Sequence, residues 1–96
     1  MGQVRWTPES ADWLEEIFEH IAKDNPAAAR RTVEGIYQKA QTLAQFPKIG
    51  YRYEGASEPV RILLYGHYRI AYLVDSARDV TILGVFHGAL DIDRYL

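Results

Sequence analysis

Val60-Arg61-Ile62-Leu63-Leu64-Tyr65-Gly66-His67-Tyr68-Arg69-Ile70-Ala71-Tyr72-Leu73-Val74 sets two runs of aliphatic, β-branched and aromatic residues on either side of Gly66-His67. Such runs favour a pleated, half-buried surface, and a short Gly-containing break between them predicts a β-hairpin. A second turn, Asp75 to Asp79, leads into Val80-Thr81-Ile82-Leu83-Gly84-Val85-Phe86, a third strand. Three strands joined by short turns make an antiparallel meander. If Gly66-His67 is a two-residue loop, Tyr65 pairs with Tyr68, and Arg61 and Arg69 face opposite sides of the sheet. A longer loop would change that parity.

Upstream of the meander the hydrophobic period changes from two to 3.6. Val4-Arg5-Trp6 reads as a short first strand, ended by Thr7-Pro8, a capping residue followed by a proline suited to the first helical turn. Leu14, Ile17, Phe18 and Ile21 then recur at i, i+3, i+4 and i+7, with Asp12, Glu15, Glu16, Glu19 and Lys23 on the other side. Asn25-Pro26 starts a second helix, expected to run to about Phe46 on a seam of Ala29, Val33, Ile36, Ala40 and Leu43. Gly35 within it suggests a close approach by the first helix. The two helices should form an antiparallel hairpin whose apolar stripes cover one face of an antiparallel sheet, leaving the other face or the concavity beside it free. Pro47 to Gly50 breaks the helix, Tyr51 to Pro59 is a loop or irregular strand, and Asp91 can cap a last short helix from Ile92 to Tyr95. The fold class is therefore α+β: an N-terminal strand, a helix hairpin, a three-stranded antiparallel meander and a short C-terminal helix. All of it fits one domain spanning residues 1–96.

Composition narrows the function. There is no cysteine, so thiolate metal sites, disulfides and cysteine nucleophiles are excluded. No apolar run approaches the roughly 20 residues that cross a bilayer, and a reducing cytoplasm is the simplest compartment. The net charge of −2 argues against a protein built mainly to neutralise phosphates. Charge is unevenly spread. Residues 1–24 hold six acids against Arg5 and Lys23, whereas residues 25–74 hold seven bases against three acids.

No nucleotide-binding or metal-binding motif is present, so no cofactor and no metal are expected. His20, His67 and His87 lack metal-ligand spacing, and Ser10, Ser57 and Ser76 lack the context of a nucleophile. The suggestive residues are the flat rings and fixed cations of the second half: Tyr51, Arg52, Tyr53, Arg61, Tyr65, Tyr68, Arg69, Tyr72, His87 and Tyr95. Tyrosine and arginine are enriched at protein interfaces, and the same pair suits RNA, whose bases stack on rings and guanidinium planes. Each tyrosine taken singly is more ordinarily a core or rim residue. For Arg61 and Arg69, salt bridges to the acidic helix compete with partner binding.

The order of elements resembles the RelE/ParE superfamily of bacterial toxins, also described as plasmid-stabilisation proteins. The residues carrying the resemblance are Trp13-Leu14-Glu15-Glu16-Ile17, Phe46-Pro47-Lys48-Ile49-Gly50, Val60-Arg61-Ile62-Leu63, Tyr68-Arg69-Ile70-Ala71-Tyr72 and Val80 through Gly88. The resemblance implies the toxin of a type II toxin–antitoxin pair, silenced by an antitoxin that folds on binding, as a homodimer or as a hetero-oligomer with that antitoxin. Two mechanisms exist in the superfamily. ParE-like members inhibit DNA gyrase without chemistry of their own. RelE-like members cut messenger RNA on the ribosome. For a nuclease the resemblance makes Arg69 the phosphate clamp and His87 the candidate acid or base. For a binding toxin, Arg52, Arg61, Tyr68 and Tyr95 are the expected target- or partner-binding residues. Leu90 stands where many relatives carry arginine, and Ile62 and Leu64 are apolar where RelE is basic. These departures favour the ParE-like branch, because phosphoryl chemistry depends on positioned cations.

Overall fold

In a computed structural model, which describes residues 2–96, the chain runs strand, helix, helix, four strands. Strand β1 is Val4–Trp6, helix α1 Pro8–Ala22 and helix α2 Pro26–Gln41. Strands β2 (Tyr51–Arg52), β3 (Arg61–Tyr65), β4 (Tyr68–Val74) and β5 (Val80–His87) follow, and a single 3-10 turn, Ile92–Arg94, closes the chain.

The helix starts form as their residues dictate. The Thr7 hydroxyl accepts from the Ser10 N–H at 3.0 Å, and the Asn25 side-chain oxygen accepts from the Ala28 N–H at 3.0 Å. Helix α2 stops short of the expected end at Phe46. It passes at Thr42–Ala44 into a 3-10 turn, where the Thr42 hydroxyl donates to the Lys39 carbonyl and competes with the helical ladder. Asp91 makes no capping bond with its side chain, so the last turn is held by its apolar residue, Ile92, rather than by a cap.

The five strands lie in the order β1-β5-β4-β3-β2. The sheet is mixed rather than antiparallel throughout, because β1 runs parallel to β5, with Val4 beside Val80 and Trp6 beside Ile82. The helix pair carries the chain from β1 at one edge of the sheet to β2 at the other, and the antiparallel run β2 to β5 brings it back beside β1. Gly66-His67 is a two-residue loop: Tyr65 pairs with Tyr68, and Gly66 takes a φ of 58°, a conformation glycine adopts without a side-chain clash. A bulge on β5 places Leu83 outside the pairing, between Ala71 opposite Gly84 and Tyr72 opposite Ile82. The extra residue resets the alternation, so that Val80, Ile82 and Val85 all join the core under the helices.

That core comprises Ile36, Ala40 and Leu43 of the helical layer against Leu63, Ile70, Tyr72, Val80, Ile82 and Val85. Gly35 makes room for a strand residue, not for α1: a methyl group there would collide with the hydroxyl end of Tyr65. The opposite sheet face is not free, as expected from sequence, but carries a second core. Val60, Ile62, Ala71 and Phe86 are covered there by Ile92, with Tyr53, Ala56, Leu90 and Leu96 around it. A sheet with apolar residues on both faces must cover both, and here the tail and the loop before β3 do so.

Candidate functional site

The two strand arginines carry the site prediction, and the register separates them. Arg61 lies across from Tyr72, on the helical face, whereas Arg69 lies across from Leu64 and Phe86, on the other. Neither forms a salt bridge to the acidic helix. The one ion pair among the described residues joins Arg5 to Asp79 at 2.8 Å.

Both arginines instead hold returning backbone. The Arg61 Nη1 donates to the Gly50 carbonyl at 2.7 Å and the Lys48 carbonyl at 3.2 Å. Beside it, the hydroxyl of fully buried Tyr72 accepts the Gly50 N–H at 2.9 Å. Burial raises the Tyr72 pKa above its ordinary 10.0, and the Gly50 N–H and the Arg61 charge partly offset that rise by favouring the phenolate. On the far face, the Arg69 Nη2 donates to the Leu90 carbonyl at 2.6 Å, with the Gly88 and His87 carbonyls at 3.4 and 3.5 Å. Its Nε is buried with no hydrogen-bond partner among the described residues. A guanidinium aimed at three carbonyls of its own chain fastens the tail over the second core.

His87 ends β5 opposite Tyr68, on the helical face. The side chains of Arg69 and His87 therefore leave the sheet on opposite sides. The Nδ1 of His87 accepts the Ala89 N–H at 3.1 Å, which holds the ring in the tautomer with its proton on Nε2. Tyr68 meets the His87 ring edge-to-face at 5.6 Å, and His67 stacks on it at 6.3 Å. Tyr68 and His87 edge an open cleft of about 360 Å³ with Trp13, Glu16, Ile17 and His20 on α1. No three carboxylates or imidazoles among the described residues come together to hold a metal.

Tyr95 is half-exposed and stacks on Phe86 at 5.7 Å while meeting Trp13 edge-on at 5.1 Å. Arg52 is exposed on β2, the edge strand. A second groove, almost wholly apolar and about 390 Å³, opens between the helices over Trp6, Leu14, Phe18, Val33 and Tyr37. Sequence reasoning missed a third feature. Phe46, read as the end of α2, and Ile49, read as part of the helix break, are among the most exposed large apolar side chains, at 58% and 60%. The available signal was their position beyond Leu43, where the apolar seam of the helical layer ends.

This α+β frame is the fold of toxins from type II toxin–antitoxin systems. A chain from the chromosomal ParDE system of P. aeruginosa superposes with a TM-score of 0.74 at 23% identity, over 91% of this chain and 96% of that one. A chain from the RelBE2 toxin–antitoxin complex of Mycobacterium tuberculosis gives 0.58 at 22% identity, over 90% and 96%. In sequence, the Sinorhizobium fredii protein named "Putative toxin Y4kP" is 36% identical over 85 residues, 88% of this chain and 86% of that one. Residues 4–92 match the family described as the ParE toxin of the type II toxin–antitoxin system, parDE. The chain belongs to the ParE toxin family.

Proposed function

We propose that this toxin acts by binding rather than by chemistry, inhibiting DNA gyrase in the cytoplasm until a cognate antitoxin neutralises it. The observation that carries the reading is the separation of Arg69 and His87. An RNA-cutting site needs a cation and a proton-transfer group converging on one phosphate. Here the Arg69 guanidinium is engaged by the Leu90 carbonyl on one sheet face, and His87 stands on the other. Membership of the ParE family supports gyrase as the target. An antitoxin partner accords with the complexes in which the similar folds occur. The apolar groove over Trp6 and Phe18, beside the outer edge of β1, offers such a partner area to bury. Among the described residues, no helix is long and apolar enough to cross a membrane.

The test is gyrase supercoiling with the purified chain, run beside cleavage of messenger RNA on translating ribosomes. Inhibition without cleavage is expected. Cleavage without inhibition would overturn the reading and return Arg69 and His87 to a nuclease site.

A further inference from the structure

Phe46, Ile49 and Tyr51 are 58%, 60% and 49% exposed within one short stretch of chain. Phe46 and Ile49 border a groove of about 720 Å³ that runs to Val74 and the turn after β4. Apolar side chains are ordinarily exposed singly; a contiguous set rimmed by polar groups marks an interaction surface.

This surface is held rigid from beneath. Arg61 binds the Lys48 and Gly50 carbonyls, and the Tyr72 hydroxyl takes the Gly50 N–H. Pro47 and Gly50 are buried, while Phe46 and Ile49 between and beside them point outward. A loop fastened by a buried tyrosine and a half-buried arginine presents its side chains in place, which lowers the ordering cost of binding.

The rim is cationic. Lys48 and Arg78 line the groove, and Arg52 is exposed close by along the chain. Arg78 adopts a φ of 68°, a backbone conformation that favours glycine, yet the position holds an arginine. The facing acid is Asp75, whose Oδ1 accepts the N–H groups of Ala77 and Asp79 at 2.9 Å each. Its charge is thus partly satisfied within its own turn.

We infer that the 46–52 loop and the 74–78 turn form a docking surface for an acidic amphipathic segment of a protein partner. Apolar residues of that segment cover Phe46 and Ile49, and its carboxylates meet Lys48 and Arg78. A second copy of this chain fits poorly, because a two-fold contact through this patch would set one cationic rim against another. Duplex nucleic acid would meet the cations but leave Phe46 and Ile49 without an apolar partner. The inference is independent of which target the toxin has.

The test uses the full isotope-labelled chain and a synthetic helix with leucines at i, i+3 and i+4 and glutamates elsewhere. Amide shifts should be confined to residues 46–52 and 74–78. Affinity should fall about tenfold in Lys48→Glu/Arg78→Glu, where attraction becomes repulsion. Ile49→Ser should weaken binding without altering its salt dependence. Equal binding of a helix with lysines in place of the glutamates would overturn the charge assignment, and absent or scattered shifts would overturn the site. Tighter binding of duplex DNA at the same amides would assign the surface to nucleic acid instead. A concentration-dependent dimer abolished by Ile49→Ser would assign it to self-association. A chain that leaves gyrase untouched but binds the acidic helix would fail the target reading and keep this one.

Discussion

Replacing Tyr72 by phenylalanine removes one oxygen from a fully buried side chain and leaves its ring packing among Ile36, Leu63 and Ile82 in place. The oxygen accepts the Gly50 N–H at 2.9 Å, and Gly50 is itself buried. No water can reach the orphaned donor without opening the loop, so the cost is the desolvation of a buried N–H, about 1–3 kcal/mol. At about 2 kcal/mol, a chain of this size should lose roughly 8–16 °C in Tm. Arg61 fastens the same loop through the Gly50 and Lys48 carbonyls, so Arg61→Met and Tyr72→Phe should be non-additive, coupled by about 0.5–3 kcal/mol in a double-mutant cycle. The hydroxyl also titrates. Its folded pKa lies above the unfolded value of 10.0, so the folded state holds the proton more tightly. The associated stability is fully present below pH 10.0 and is lost as pH rises from there through the folded value. Urea melts between neutral and strongly alkaline pH should show the wild type weakening at the alkaline end more than Tyr72→Phe, the two curves converging. Tyr72→Phe within about 0.5 kcal/mol of wild type at neutral pH, inside the ordinary range for surface changes, would refute the reasoning.

Arg69→Met should cost about 2 kcal/mol, the worth of a charge-assisted bond to the Leu90 carbonyl, and hydrogen exchange should accelerate selectively at 87–96. Protection unchanged there would show that the tail is held by Ile92 and its neighbours alone. Gly35→Ala should destabilise by about 1–3 kcal/mol by overpacking against Tyr65; in a Tyr65→Ala background the same change should stabilise by about 1 kcal/mol through helix propensity. Chemical denaturation of the four proteins reads both signs, and a stabilising effect in both backgrounds would show that Tyr65 yields freely. Thr7→Ala should cost about 1 kcal/mol by uncapping α1, measured as a lowered thermal midpoint, with Thr7→Ser restoring most of it.

The elements were legible where local chemistry decides them. Thr7-Pro8 and Asn25-Pro26 begin helices because side-chain oxygens reach the free N–H groups of the first turn, and that reach spans three residues in sequence. The hairpin at Gly66-His67 is local in the same sense, and its two-residue loop fixed the parity that sets Arg61 and Arg69 apart. What escaped was non-local. The parallel pairing of β1 with β5 joins Val4 to Val80 across most of the chain, and a strand of three residues gives no sign of its partner. The second core escaped because alternation along β3 and β4 is equally compatible with a face left to solvent and a face closed by a tail. Leu90, Ile92 and Leu96 carry the answer, but they are scattered apolar residues in an irregular segment without a period to expose them.

The candidate site was legible as an inventory and, for Arg61 and Arg69, as a parity of faces, but its contacts were not. Sequence shows that Arg61 and Arg69 sit in strands; it does not show which acceptor each will find. A strand arginine beside the end of a sheet has unpaired carbonyls of returning loops within reach, and these are fixed neighbours, whereas an exposed carboxylate on a helix must be held in place at an entropic cost. The carbonyls won at both positions. Arg61, expected to touch a partner, holds the Gly50 and Lys48 carbonyls, and the side chains that reach solvent from the loop it fastens are Phe46, Lys48 and Ile49. They follow from the same early end of α2 that the sequence period missed. Had the helix continued to Phe46, its last turn would have run on past the seam. Because the chain leaves the helix at Thr42–Ala44 and turns under the grip of Arg61 and Tyr72, the residues after the seam are presented rather than packed.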